Sequence, residues 1–167
     1  AHTVKVVSIA GDDVTAFIED TDWGAFSDDF DCTIEYFESA LTLIDEGSGI
    51  TNKHGNDSWA YDQRGIDFVM EDELGYNNAI HDEIFRQKPS RDEYQKLIIK
   101  AAANDNYPFE PGGCHMRDAY VHSLSQKGNL LMDERSYEPC VLYVNGAYWG
   151  VYELRENMEK CVERVGR

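Results

Sequence analysis

The chain lacks the short motifs by which most enzymes announce themselves. No Cys-x-x-Cys pair occurs, which disfavours a zinc ribbon, and no Gly-rich segment ends in Gly-Lys-Ser, which excludes a Walker loop. No apolar run approaches the ~20 residues of a membrane-spanning helix. Basic residues are scarce, 15 Lys and Arg against 32 Asp and Glu, for a net charge of −17. Such a balance repels phosphate backbones and excludes nucleic-acid binding through a broad basic face. It suits a solvated acidic surface or a salty exterior.

The four cysteines, Cys32, Cys114, Cys140 and Cys161, allow two disulfides in three pairings or four buried thiols, and their number leaves both open. His115 and His122 stand seven apart, too far to ligate one metal without a third partner. Ser58 has no nucleophile elbow around it, and Cys114 and His115 are only neighbours in sequence, so hydrolase chemistry is disfavoured. The acidic loop Asp20–Asp31 lacks the Asp-x-Asp-x-Asp-Gly spacing of a calcium loop; its Trp23, Phe26 and Phe30 read instead as pins to the core. The chain opens Ala-His-Thr-Val, without an initiating Met or a signal peptide, and reads as a piece of a longer protein that continues past Arg167.

What is present is enough to fold. Hydrophobic residues make up 42% and aromatics 12% of 167 residues, the content of a single domain, 1–167, with a real core. Val4–Ile9 reads as a strand, and Val14–Ile18 as a helical turn capped by Asp12 or Asp13. Thr33–Phe37 alternates as a strand, with Leu41–Ile44 pairing to it through a turn at Glu38-Ser39-Ala40. Gly55-Asn56-Asp57-Ser58 is a turn rich in backbone donors, and Ile66, Phe68 and Met70 alternate as the strand after it. Ala79–Phe85 reads as a short amphipathic helix, Leu97–Ile99 as a buried strand, Pro108–Gly113 as a loop, and Met116–Lys127 as the main helix, stopped by Gly128. The aromatics Trp59, Tyr61, Trp149 and Tyr152 suit a sugar platform, and suit core packing better.

The strongest local signal is a hairpin. Val141–Val144 is a β-branched and aromatic run, Asn145-Gly146 favours a tight type I′ turn, and Tyr148–Leu154 forms the returning strand. The coarse expectation is therefore an α+β lobe, an antiparallel sheet with one main helix on one face.

Three segments in order, HGNDSW-x-Y-x-QRGIDF, KLIIKAAANDN leading to HMRDAYVHSL, and LYVNGAYWGVYELRE, resemble the spore-coat protein H (CotH) family of atypical kinase-like proteins, over roughly Lys53–Glu159. The resemblance implies the amino-terminal lobe of a kinase, with ATP and Mg²⁺ or Mn²⁺ as cofactors of the full-length parent. It places nucleotide contacts at Gly55, Asn56, Ser58, Arg64, Asp118, Glu153, Leu154 and Arg155, with residues 153–156 at the hinge that meets adenine. The family's strand lysine aligns with Gln63, beside Arg64, and the family's catalytic and metal-binding aspartates belong to a second lobe that does not fit before Arg167. The expectation is thus a fragment that is inactive alone, from an extracellular or cell-surface protein acting on secreted or surface proteins. The rival is a surface or matrix protein that uses the fold for assembly.

Overall fold

The computed structural model describes residues 2–20, 29–39, 41–75, 77–106 and 111–157. In chain order the elements are β1 (Lys5–Ala10), α1 (Val14–Glu19), β2 (Phe30–Phe37), β3 (Leu43–His54), β4 (Gly65–Met70), β5 (Ile80–His81), β6 (Glu93–Tyr94), β7 (Lys96–Lys100), α2 (Arg117–Gly128), β8 (Tyr137–Val144) and β9 (Ala147–Glu156). Single 3-10 turns lie at Asp57–Ala60 and Ala103–Asp105. Seven strands close into a barrel in the order β1-β2-β3-β4-β7-β9-β8, while β5 and β6 form a separate pair.

The open sheet of a kinase amino-terminal lobe is therefore corrected to a closed barrel. Closure comes from a parallel ladder between β1 and β8, from Lys5↔Cys140 to Ile9↔Val144, while every other neighbouring pair in the barrel is antiparallel. Closing a sheet removes its edges and gives alternate side chains one shared interior. Val7, Ile9, Ile34, Phe68, Leu142 and Leu154 fill it, all buried. Trp59 and Tyr152 are buried as well, and Trp149 packs half-buried against the core, so core packing accounts for these three aromatics.

β3 is the strand that turns the corner. Its first part pairs with β2 and its last part with β4, and the two ladders overlap only at Gly49–Thr51. Gly49 lies where the backbone of β4 comes closest: a Cβ there would strike the Val69 carbonyl oxygen and crowd Met70 Cα. Backbone cannot step aside as a side-chain tip can. Gly49→Ala is expected to cost about 1–3 kcal/mol in urea unfolding; an unchanged midpoint would show that the close approach is not needed.

The hairpin forms as expected. Asn145 and Gly146 take φ of +49° and +79°, both positive as a type I′ turn requires. Asn145 also ties the turn to β1. Its backbone N donates to Ile9 O (2.9 Å). Its side-chain Oδ1 accepts from Gly11 N (3.0 Å), and its Nδ2 donates to Gly11 O (3.1 Å) and Thr15 Oγ1 (2.7 Å). Asn145→Gly keeps the turn conformation but loses those side-chain bonds. It should lower stability by about 1–2 kcal/mol in the same measurement, and no loss would mean the tether is idle.

Two further expectations change. Ala79–Phe85 is not a helix: β5 pairs with β6, and Asp45 Oδ2 accepts the His81 backbone N (2.8 Å). Ala79, Ile80, Ile84 and Phe85 are all buried, so their helix-like spacing serves packing beside the barrel. Arg86 pairs with Glu138 (2.8 Å), and Lys88 and Arg91 with Glu156 (2.7 and 3.2 Å), which holds this segment to the barrel wall. Asp13 is the N-cap of α1, but its side chain makes no capping hydrogen bond. Most of the acidic loop, residues 21–28, lies outside the described residues, as do 107–110 of the Pro/Gly loop.

Cys32 and Cys140 are buried free thiols and Cys114 is an exposed one; Cys161 lies outside the described residues. Burial, helped by the Asp31 charge, pushes the Cys32 thiol up to about 12. It is inert as a nucleophile at neutral pH. Among the described residues, no helix is long and apolar enough to cross a membrane.

Candidate functional site

The site is built where strand ends, a turn and a helix start converge. Strand register sets His54 opposite Gly65, Ile66 opposite Ile99, and Lys100 opposite Glu153. His54, Gly65, Lys100 and Glu153 thus lie level with one another across four strands. The 3-10 turn Asp57–Ala60 packs against the turn Ala103–Asp105, which brings the Gly55–Ser58 segment to the same end of the barrel.

Gly55 holds φ +88°, and a Cβ there would strike Ser58 Oγ. Ser58 Oγ donates to His54 O (3.4 Å), and Trp59 Nε1 donates to both His54 O (3.1 Å) and Gly65 O (3.0 Å). The indole therefore clamps the two ends of the loop. Asn56 is exposed and its carbonyl accepts from Trp59 N (3.0 Å).

Arg64 does not join this group. It is buried, its Nε donates to Trp59 O (3.0 Å) and its Nη1 to Ile18 O (2.7 Å), and its guanidinium lies over the Trp59 ring. It fastens α1 to the loop. Gln63 precedes β4 rather than sitting on a strand, and its amide donates to Trp149 O (3.4 Å), over Gly150. Leu154 points into the core, fully buried. The backbone of 153–156 is paired with β7 on one side, and 153–155 with β8 on the other.

Asp118, Glu153 and Arg155 do come together, and the structure adds Lys100 to them. Asp118 Oδ2 accepts from Lys100 Nζ and from Arg155 Nη2 (3.0 Å), and Asp118 Oδ1 lies 3.4 Å from His122 Nε2. Arg155 is 1% exposed, gives Nε and Nη2 to Glu153 Oε2 (3.1 and 2.9 Å), and lies over the Tyr137 ring. Its Nη1 has no hydrogen-bond partner among the described residues. Two cations and two carboxylates thus interlock between the barrel wall and α2, which is what a buried charge requires. Burial pushes the Asp118 carboxyl up. The hydrogen bond from Lys100, then the charges of Lys100, Arg155 and His122, outweigh that and hold it below its ordinary value.

Lys100 is the residue that reading the sequence missed. The available signal was KLIIK, a buried run ended by a lysine and followed by a helix with an acid in its first turn.

Asp105 holds the start of that helix. Its carboxylate accepts from the backbone N of Cys114 (3.0 Å), Met116 (2.9 Å) and Arg117 (2.9 Å), and Arg117 Nε lies 3.1 Å away. The Asn-Asp-Asn segment therefore caps α2 from outside, satisfying amides that no helical carbonyl reaches. His115 beside it holds φ +61°, and burial depresses its pKa against the charges of Glu153 and Asp105. Among the described residues, no three His, Cys, Asp or Glu side chains gather to hold a metal ion.

A family model described as CotH kinase protein matches residues 53–166. The chain belongs to the CotH family. No curated protein matches the sequence. The CotH match covers β4 to β9 with α2, and so contains Lys100, Asp105, Asp118 and Arg155. The strands β1 and β2, and all of β3 but Lys53 and His54, which complete the barrel, precede it.

Burial raises the Asp105 carboxyl, but the amides of Arg117, Cys114 and Met116, then the Arg117 charge, overcome that and bring it from 3.8 to about 2. A depressed carboxylate stabilises the fold above its unfolded value and loses that contribution as pH falls through the folded one. Asp105→Asn is therefore expected to cost about 1–2 kcal/mol at pH 7 and to flatten the loss of stability between pH 3.8 and about 2. Parallel wild-type and variant curves across that window would remove Asp105 as the titrating cap.

Proposed function

We propose that this chain carries the phosphate-contacting part of a CotH-type, ATP-dependent protein kinase, with Lys100 as the cation that meets nucleotide phosphates. The observation that carries this is the Lys100–Asp118 pair, a strand lysine aimed by an acid in the first turn of the following helix. Phosphoryl transfer is mostly positioning and charge neutralisation, and a strand lysine held by a helix acid is a recurring way to supply the cation. The Lys100 side chain keeps some solvent access at 23% exposure, and the Gly55–Ser58 turn stands at the same end of the barrel. On this reading Asp118 and Arg155 are positioning residues, and Gly55, Asn56 and Ser58 cover the phosphates.

The residues present fit a phosphate better than a metal. A bound Mg²⁺ or Mn²⁺ would supply further neutralisation of the transferred group, but the described residues offer no cluster to hold it. On the resemblance to the family, we propose that metal binding and the catalytic aspartates belong to a second lobe, and that these 167 residues alone do not turn over ATP. The family points to a coat or surface setting, and we propose secreted or surface proteins as the substrates.

A second reading, assembly without catalysis, is favoured by Arg64 and Gln63, whose donors are spent inside the fold.

ATP with Mg²⁺ or Mn²⁺, at about ten times its dissociation constant, is expected to raise the melting temperature by about 3–6 °C, and Lys100→Ala should abolish the shift. No shift in a chain extended past Arg167 would remove the kinase reading. Size-exclusion chromatography showing oligomers across salt concentrations would then favour assembly.

A further inference from the structure

Helix α2 is tied to the barrel wall by its first turn. Asp105 caps its start and Asp118 ties its first turn to the barrel, yet of its twelve residues only Ala119 and Ser125 are buried. The side chains that would normally face a core face solvent instead. Tyr120, Val121 (63% exposed) and Leu124 project from the helix. Leu130, Leu131 and Met132 follow it in the same condition, with Leu131 88% exposed. Leu131 also holds φ +53°, a left-handed conformation unfavourable for a branched side chain. A lone exposed leucine means nothing, but a contiguous patch of this kind marks an interaction surface.

The patch contains a groove. Val121, Leu124, Leu130 and Met132 form its apolar walls, and Asp133 and Glu134 its acidic rim, around a volume of about 320 Å³. Ser125 Oγ bonds to Glu134 Oε1, and that hydrogen bond, against slight burial, lowers the Glu134 pKa, so Glu134 is charged at neutral pH. His122 also lines the groove, with Nε2 turned to Asp118 and Nδ1 accepting from Arg135 N. Lys127 and Arg117, the cations of α2, are not among the lining residues.

We propose that this groove docks a basic amphipathic segment of a partner protein, with leucine- or phenylalanine-type anchors seated between Leu124 and Leu130 and lysine or arginine facing Asp133 and Glu134. An apolar groove with a rim of one charge selects a helix of the opposite charge. A second copy of this chain fits poorly, because it would bring another net charge of −17 to an acidic rim. The proposal stands on this surface alone and is independent of nucleotide binding. Because α2 also carries Asp118, occupancy of the groove would act on the helix that aims Lys100.

The probe is a labelled 18-residue peptide with Leu and Lys at helical spacing, titrated by fluorescence anisotropy against a Leu/Glu peptide of the same pattern. The Leu/Lys peptide should bind at least tenfold more tightly than the Leu/Glu peptide. The double variant Leu124→Ser with Leu130→Ser, which changes no charge, should weaken it at least tenfold, while Leu41→Ser, at an exposed site elsewhere, should leave it unchanged. Circular dichroism with a thermal melt confirms that the double variant is folded; should it not fold, Asp133→Asn with Glu134→Gln replaces it, with a threefold or greater loss expected. Equal binding to wild type and folded variant would show attraction to net charge only and overturn the proposal. So would concentration-dependent dimerisation abolished by the same variants, which would make a second copy the occupant.

Discussion

The parallel ladder between β1 and β8 is the constraint on which the rest depends. It joins residues more than 130 apart in sequence and leaves the barrel without a free edge. Asn145 extends it beyond the last strand pair, presenting its carboxamide to both backbone groups of Gly11 as another strand residue would. Because β8 is fixed on one side by β1 and on the other by β9, the Glu153–Arg155 stretch of β9 is also fixed, and so is the charge cluster built on it. The site is thus held by an element, β1, that lies outside the family-matched region.

This division explains what was legible in the sequence. Within the matched region the strands run β4-β7-β9-β8, one arc of the closed barrel and not the sheet with a helix on one face that was expected, with α2 tied to it through Asp118 and Arg155. Local signals reached single elements: Asn145-Gly146 fixed a turn, and the alternation at Ile66, Phe68 and Met70 fixed a strand. The closing pair is parallel and maximally distant, and neither periodicity nor turn chemistry carries information about such a partner. Ala79–Phe85 failed for a different reason. Ile80 and Ile84 match a helical period, but a short extended segment packed along a barrel buries the same residues.

Site residues were legible by type more than by partner. Asp118 and Arg155 were marked from resemblance, and they meet through space. Arg64 was chosen for its charge beside the expected lysine position, yet a buried guanidinium that stands near carbonyls will spend its donors on them, as it does on Ile18 and Trp59. Lys100 was passed over because it closes an apolar run whose obvious purpose is the core. Only the register, which faces Lys100 with Glu153 and sets α2 above both, separates it from the other lysines.

Cations are the scarce component of this molecule, and their placement limits what the site can do. Arg86, Lys88 and Arg91 are committed to Glu138 and Glu156, and Arg64 to carbonyls. Lys100 differs because Asp118, which like Glu156 has two cations, is half exposed, whereas Glu156 is fully buried. If a phosphate drew Lys100 away, Asp118 would keep Arg155 at 3.0 Å, and Arg155 would keep Glu153. No carboxylate would be stranded without a partner, so the large penalty of breaking a buried pair would not arise. Withdrawing Lys88 would instead take a cation from the fully buried Glu156, leaving it Arg91 and the Ser136 amide, both at 3.2 Å. Because Asp118 is solvated as well as doubly paired, an anionic ligand can recruit Lys100 at less cost to the fold than Lys88 or Arg91.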